Sequence, residues 1–314
     1  MKVLVTGCAG FIGFHVVKNL LKFKYEITGI DNLEKYYEPE LKIRRLAELK
    51  NTNFTFINLD INDLSKIKND FDLVINLAAQ PGVRLPKSDW HKYFHSNING
   101  FISVCNFCLE NKNCKLIYAS SSSVYDGKEK KQSRETDCIA PSSVYGTSKA
   151  FNEMYAENLS KSHGLKAIGF RFFTVYGPWG RPDMAYFLFS KQIRDSKKII
   201  LHDKGRMLRD MTFIEDIVQG IKSGIDLILE EDFGRHELFN LGCNKPIKTK
   251  DLLTFVGEYL KKDYLIENID MNFEFQYTHA DLTKSKKILG YDPKTNFETG
   301  MIEFLKWFDE YGKW

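Results

Sequence analysis

Gly7, Gly10 and Gly13 punctuate the run Thr6-Gly7-Cys8-Ala9-Gly10-Phe11-Ile12-Gly13, which comes after an apolar stretch and opens a helical pattern. Glycine at this spacing tightens a turn, lets backbone come close to a pyrophosphate and lets helix pack on strand, and the helix N-terminus offers N–H groups to the anion. Asp31 closes the second candidate strand, eighteen residues beyond Gly13. A carboxylate there accepts from adenosine ribose hydroxyls and repels a 2′-phosphate, which selects NAD over NADP. Asp60 and the turn Leu77-Ala78-Ala79-Gln80 stand at strand ends, as do the neighbouring Asn32 and Ile61. The rest of a dinucleotide lies along that carboxyl edge.

Tyr145 and Lys149 stand four apart on a helical pattern, so their side chains share one face about a turn apart. A phenol, with its usual pKa near 10, needs help to act as a base at neutral pH. A neighbouring ammonium, with the positive charge of an oxidised nicotinamide, favours the phenolate. The candidate strand ending at Ser120 delivers Ser121, Ser122 and Ser123 to the same edge, where a hydroxyl can bond a reacting oxygen.

The elements that must hold these groups alternate. Candidate strands run Lys2 to Thr6, Glu26 to Asp31, Thr52 to Ile57, Asp72 to Asn76, Lys115 to Ser120 and Ala167 to Arg171. Amphipathic stretches lie between them at Phe11 to Phe23, Pro39 to Leu49, Trp90 to Asn111 and Ser143 to Ser160. That rhythm predicts an α/β fold with a doubly wound parallel sheet, a Rossmann domain. Phe172 to Asp183, dense in Gly, Pro and aromatics, reads as a loop that ends the rhythm. Phe213 to Leu229 reads as a helix and Glu237 to Leu241 as a strand returning to the sheet. The expected organisation is a Rossmann domain over 1–173, rejoined by 214–242, and a smaller, discontinuous substrate domain over 174–213 and 243–314.

At 314 residues and 43% hydrophobic, with a net charge of +4, the chain excludes disordered and tail-like classes. The densest basic run, Lys128 to Lys131, is interrupted by Glu129, which argues against nucleic acid as a partner. No apolar run is long enough for a membrane span, no signal peptide is expected, and the six scattered cysteines fit a reducing cytoplasm better than a disulfide framework. His91 and His95 lack a third ligand and the intervening glutamate of a metalloprotease, so no metal is expected. Cys105-x-x-Cys108 sits in an apolar helical pattern and reads as buried small side chains.

Taken together, the glycine turn, the serine run and Tyr-x-x-x-Lys resemble the extended short-chain dehydrogenase/reductase superfamily of nucleotide-sugar enzymes. More specifically, Leu77-Ala-Ala-Gln-Pro-Gly-Val-Arg84, Ser120-Ser-Ser-Ser-Val-Tyr125 and Arg171-Phe-Phe-Thr-Val-Tyr-Gly-Pro-Trp-Gly-Arg-Pro-Asp-Met184 are similar to UDP-glucuronate 4-epimerases. The likeness continues through Arg209-Asp210, Ala280-Asp281 and Leu289-Gly290-Tyr291, essentially the whole chain. It implies that Tyr145 is the base, that Lys149 lowers its pKa and holds the nicotinamide ribose, and that Ser121 orients the sugar hydroxyl. It places Asn97 in support of the cofactor, Ser122, Ser123 and Thr174 against the hexuronate, and Arg181, Arg209 and Arg84 on the anionic sugar and diphosphate. It further implies a homodimer pairing the helices around Trp90 to Asn111 and Ser143 to Ser160 into a four-helix bundle.

The reaction so implied is inversion at C4 of a nucleotide-linked uronic acid, most simply UDP-glucuronate to UDP-galacturonate, through a transient 4-keto sugar, with tightly bound NAD regenerated in each turnover. A 4-keto uronate is a β-keto acid, so hydroxyls at Ser122, Ser123 and Thr174 must hold its carboxylate out of line for loss of carbon dioxide. Related dehydratases carry Asp-Glu, and decarboxylases Glu, where this chain has Ser122 and Ser123, which disfavours both. A 4-dehydrogenase or 4-ketoreductase on the same residues is the second reading, and a non-catalytic NAD sensor the third. Two departures from the family pattern stand out. Asp126 occupies a glycine position after Val-Tyr, and Asn272-Phe273-Glu274 replaces a Pro-Gly-Asp turn that helps hold the nucleotide, which bears on the base and the sugar more than on the reaction.

Overall fold

The computed structural model describes all residues except 69, 112, 128–130, 271–276 and 312–314. The altered 272–274 segment and most of the basic run at 128–131 lie outside the described residues.

Strands β1 (Lys2–Thr6), β2 (Glu26–Asp31), β3 (Phe54–Asn58), β4 (Leu73–Asn76), β5 (Lys115–Ser121) and β6 (Ala167–Phe172) form most of the central sheet. With β7 (Thr174–Tyr176), β8 (Ile199–His202), β9 (Leu208–Phe213) and β10 (His236–Leu241) numbered in chain order, the strand order of that sheet is β10-β6-β5-β4-β1-β2-β3, every pair parallel. The order reverses between β1 and β4, and in such sheets ligands bind outside the carboxyl ends of the strands at that point. Val3, Leu4 and Val5, like Leu73, Val74 and Ile75, are wholly buried, because helices cover both faces. Phe14 and Val17 of α1 (Phe11–Leu20) pack on one face, and Phe101 and Val104 pack on the other.

Helix α2 (Pro39–Glu48) comes after β2. Beyond β4 lies one continuous helical stretch: α3 (His91–Tyr93), a π-helical turn at Phe94–Asn99 and α4 (Gly100–Glu110). The sequence pattern predicts a regular helix over Trp90 to Asn111; the π turn re-aims Asn97 inward, a distortion common at functional positions. Helix α5 (Val144–His163) starts where the Ser143 side chain accepts from Gly146 N and stops at Gly164, whose φ of 73° suits glycine. The expected loop at Phe172 to Asp183 contains β7, which pairs with β9, itself antiparallel to β11 (Pro246–Lys248). Three residues, Thr174, Val175 and Tyr176, are too few to show a period, so only their partner strand reveals them. The remaining elements are α6 (Ala185–Arg194), α7 (Ile214–Leu229), α8 (Thr249–Leu260), β12 (Ile266–Ile269) paired with β8, α9 (Thr283–Leu289) and α10 (Phe297–Tyr311). No helix among the described residues is long and apolar enough to cross a membrane.

Candidate functional site

A cleft of about 890 Å³ opens at the carboxyl edge of the sheet, over the reversal between β1 and β4. Its floor is the glycine turn. Gly7 has φ +69°, and a Cβ there would sit 2.7 Å from Ala78 N, so the turn and the β4 end can approach only because glycine stands there. Gly13 carries α1 against the same turn: a Cβ would strike the Gly7 carbonyl. Helix α1 begins with no capping side chain and no acid in its first turn, leaving its N-terminal N–H groups for an anion, and Gly10, Phe11 and Ile12 line the cleft there.

Asp31 lies at the far end with Asn32 and Ile61. It accepts from Leu33 N at 2.8 Å and pairs with Lys42 Nζ at 3.3 Å, a buried pair that the sequence does not advertise because Lys42 reads as one more polar residue of α2. Asp60 does not line the cleft. Burial alone would raise its carboxyl, but hydrogen bonds from Asn62, His95 and Asn32 take it down to about 2. Asn32 Nδ2 donates to the Asp60 carboxylate at 2.8 Å, so Asp60 is joined to a residue of the lining.

Leu77, Ala78, Ala79 and Gln80 line the middle. Asn97 does not line it either. From the π turn it accepts from Gln80 N at 2.7 Å and donates to Gln80 O and Ser148 Oγ, so it fixes the β4 turn to α5. Asn152 of α5 donates to the Asn97 carbonyl at 2.7 Å, completing the clamp.

Tyr145 and Lys149 stand on the first two turns of α5, facing the cleft with Ser121, Ser122, Ser123 and Thr174. Lys149 Nζ donates to the Ala119 carbonyl at 2.9 Å and lies 6.0 Å from the Tyr145 ring centre. Burial brings its ammonium down to about 8. Burial also raises the Tyr145 phenol, and the opposing influences are the Arg181 charge and a hydrogen bond with Ser121. The countercharge thus comes from Arg181 in the loop after β7 rather than from the helix that carries the tyrosine. Ser121 Oγ accepts from Ser123 N at 3.1 Å and so caps the turn that aims Ser122 and Ser123.

Behind the serines a buried network holds β5, β6 and α5 together. Arg171, 1% exposed, donates from Nε and Nη2 to Glu153 at 2.8 and 2.7 Å and from Nη1 to Tyr125 Oη at 2.8 Å, and Ser120 donates to Glu153.

The opposite wall bears the arginines. Arg181 pairs with Asp183 through Nε at 3.0 Å and Nη2 at 2.6 Å, and Tyr36 Oη donates to the same carboxylate at 3.2 Å. Burial opposes the Arg181 charge, but Asp183 more than offsets it and holds the guanidinium above its ordinary value. Sequence reasoning assigned no role to Tyr36 or Asp183, although Asp183 falls within the matched Arg171 to Met184 block. Arg209, by contrast, is brought down to about 10 by burial and by the charge of Arg84, so two cations converge on one part of the cleft. Two guanidiniums that disfavour each other suit a diphosphate. Asp210 braces that corner by accepting from the backbone N–H groups of Cys243, Asn244 and Ala280. At the departure after Val-Tyr, the Gly127 carbonyl accepts from Tyr277 N, tying the serine loop to the C-terminal segment.

Three carboxylates line the cleft among the described residues, and each has a cationic partner: Asp31 with Lys42, Glu34 with Lys92 at 3.5 Å, and Asp183 with Arg181.

A profile of the NAD dependent epimerase/dehydratase family matches residues 3–242. An uncharacterised protein of Methanocaldococcus jannaschii is 43% identical over 99% of this chain and 97% of its own. UDP-glucuronate 4-epimerase 3 of Arabidopsis thaliana is 38% identical over 98% of this chain and 76% of its own. Among solved structures, UDP-glucuronic acid 4-epimerase from Bacillus cereus in complex with UDP-glucuronic acid and NAD superposes with a TM-score of 0.92 at 31% identity, covering 99% of both chains.

Proposed function

Because the chain belongs to the NAD dependent epimerase/dehydratase family, we propose that it is an NAD-dependent 4-epimerase of a nucleotide-linked uronic acid, interconverting UDP-glucuronate and UDP-galacturonate. The observation that carries the choice of reaction is the lack of an uncommitted carboxyl group at the sugar end of the cleft. The three lining carboxylates are ion-paired, and hydroxyls occupy the serine run, so the acid that elimination needs is missing among the described residues.

The cleft fits a dinucleotide. Gly7 and Gly13 let the turn close on the β4 end and on α1, no capping side chain covers the start of α1, and Phe11 and Ile12 offer backbone N–H groups to a pyrophosphate. Asp31, Asn32, Asp60 and Ile61 would hold the adenosine end. Leu77 to Gln80, fixed by Asn97, would lie along the middle, and Lys149 would hold the nicotinamide ribose. When bound, NAD supplies the reversible hydride exchange that makes and unmakes a 4-keto sugar. Tyr145 takes the proton of the C4 hydroxyl and later returns it. Ser121 orients that hydroxyl, while Lys149 and Arg181 favour the phenolate. Ser122, Ser123 and Thr174 hold the C5 carboxylate away from the alignment that would expel carbon dioxide. Arg84 and Arg209 receive the diphosphate, and Arg181 the sugar's anionic side. In this reading 174–213 and 243–314 form the sugar-holding domain on a 1–173 and 214–242 base.

Purified protein incubated with UDP-glucuronate and no added cofactor should yield UDP-galacturonate with its carboxyl group retained, as monitored by NMR. Release of carbon dioxide would mark a decarboxylase, and accumulating NADH a dehydrogenase. The exposed Trp90 and Phe94 ahead of α4, with Met154 on α5, support a homodimer through a four-helix bundle; a monomeric mass by light scattering would refute it.

A further inference from the structure

A chain of contacts leads from the proposed base to Arg181. Tyr93, whose ring centre is 6.1 Å from that of Tyr145, donates to the Gly82 carbonyl. Gly82 has φ +89°, and a Cβ there would overlap the Tyr36 hydroxyl, so the loop after β4 is seated on Tyr36. Tyr36 bonds Asp183, and Asp183 grips Arg181 by two N–H groups. Arg181 and Tyr145 line one cleft. A guanidinium has five N–H donors, so the two spent on Asp183 and the one directed at Met184 Sδ leave the two of Nη1 for other partners.

We propose that Asp183 is a positioning residue for proton transfer at Tyr145: it fixes the Arg181 guanidinium beside the phenol, and Tyr36 fixes Asp183. The inference rests on the proposed role of Tyr145. Reaching this arrangement takes three segments distant in sequence: the β2–α2 connection, the loop after β4 and the loop after β7. The loop after β7 makes the Arg181–Asp183 pair by itself, and the other two segments bring Tyr36 and Gly82 against it. The groups facing the phenol are Lys149 from its own helix, Ser121 from β5, Tyr93 from α3 and Arg181 from the substrate loop. Arg181 is the group among them whose place depends on a side chain that does not touch the phenol.

The sign of one substitution separates positioning from plain electrostatics. Asp183→Asn removes a negative charge near the phenol. If Arg181 stayed where it is, its cation would be less compensated and the Tyr145 pKa would fall. If Asp183 positions it, Arg181 swings away and the pKa rises. The experiment is an ultraviolet titration of the purified, NAD-loaded protein, with the Tyr145→Phe variant subtracted to isolate one phenol. Expected results are an upward shift of about half a unit or more in Asp183→Asn, a smaller upward shift in Tyr36→Phe, and no further shift when Asp183→Asn is added to Arg181→Met. A downward or absent shift in Asp183→Asn overturns the proposal, as does full additivity with Arg181→Met. Tyr36→Phe, which removes one oxygen, keeps the test open if Asp183→Asn does not fold, and no shift in it overturns the proposal as well. The titration needs no sugar, so its failure is distinct from failure of the UDP-glucuronate assay.

Discussion

The two ends of the cleft are built by different means. The cofactor end is backbone: one turn between β1 and α1, shaped by glycines whose missing Cβ atoms permit the approach of Ala78 and the seating of α1. The end proposed for the sugar is side chains: Ser121 at the end of β5 with Ser122 and Ser123 after it, Tyr145 and Lys149 from α5, Arg181 from the loop after β7 and Arg209 from β9, fastened by Arg171 with Glu153 and by Arg181 with Asp183. The glycine turn has no space for a Cβ at Gly7 or Gly13, and the charge at that end is carried by Asp31 with Lys42. The side-chain end can be retuned residue by residue, and each fastening puts a charge where it is needed. Specificity can therefore change at the sugar end while the cofactor end stays fixed.

That contrast can be broken at several points. Tyr145→Phe should have the largest effect, lowering kcat by a factor of about 10² to 10⁴ while bound NAD and the melting temperature stay near the parent's; steady-state rates with UDP-glucuronate beside a thermal melt would check it. Arg171→Met leaves Glu153 buried without its cation and should cost about 3–5 kcal/mol of stability, read by urea unfolding. A loss below about 1 kcal/mol would mean the serine run is not held by that network. Gly13→Ala forces a methyl group against the Gly7 carbonyl and should cost about 1–3 kcal/mol. The protein should also lose most of its bound NAD, measured by nucleotide release on denaturation, which Arg171→Met at matched stability should not do.

The smallest effect concerns the junction of the two ends. Burial lowers His15, whose Nε2 meets the Pro178 carbonyl at 3.0 Å, to about 3, with the Arg45 and Lys18 charges adding to that. A histidine that stays neutral when folded binds its proton more readily when unfolded. Its contribution is complete above the ordinary histidine pKa of about 6.5 and is lost as pH falls from there toward about 3. Melting temperature should fall across that window and fall less steeply in His15→Gln; equal slopes would remove His15 as the cause.

Much of the site was legible because it is local. The glycine spacing, Asp31 at a strand end and the four-residue step from Tyr145 to Lys149 are properties of single elements, and each of these residues lines the cleft. The serine run was legible because a strand carries the residues beyond its last position to a known edge. Asp60 was legible as a carboxylate at a strand end, whereas Asn97 came only from the family resemblance, since its bonds to Gln80 and Ser148 join segments distant in sequence. Tyr36, Lys42 and Asp183 carried no signal, since a tyrosine in a polar loop or a lysine on a helix has the same pattern whether or not it meets a carboxylate across the fold.

Sequence alone determined the alternation of strands and helices as far as β6, the parallel sheet and the side of it on which chemistry happens, because hydrophobic period, glycine placement and i,i+4 spacing act over a few residues. Tertiary structure decided which charges meet. Arg45, far from the substrate loop in sequence, donates to the carbonyls of Ala9, Trp179 and Gly180, joining the cofactor turn to that loop. Asp183 takes up Tyr36 as well as its near neighbour Arg181. Pairings of that kind depend on where independent segments arrive in space, and a buried charge takes whichever partner the packing brings within hydrogen-bond reach.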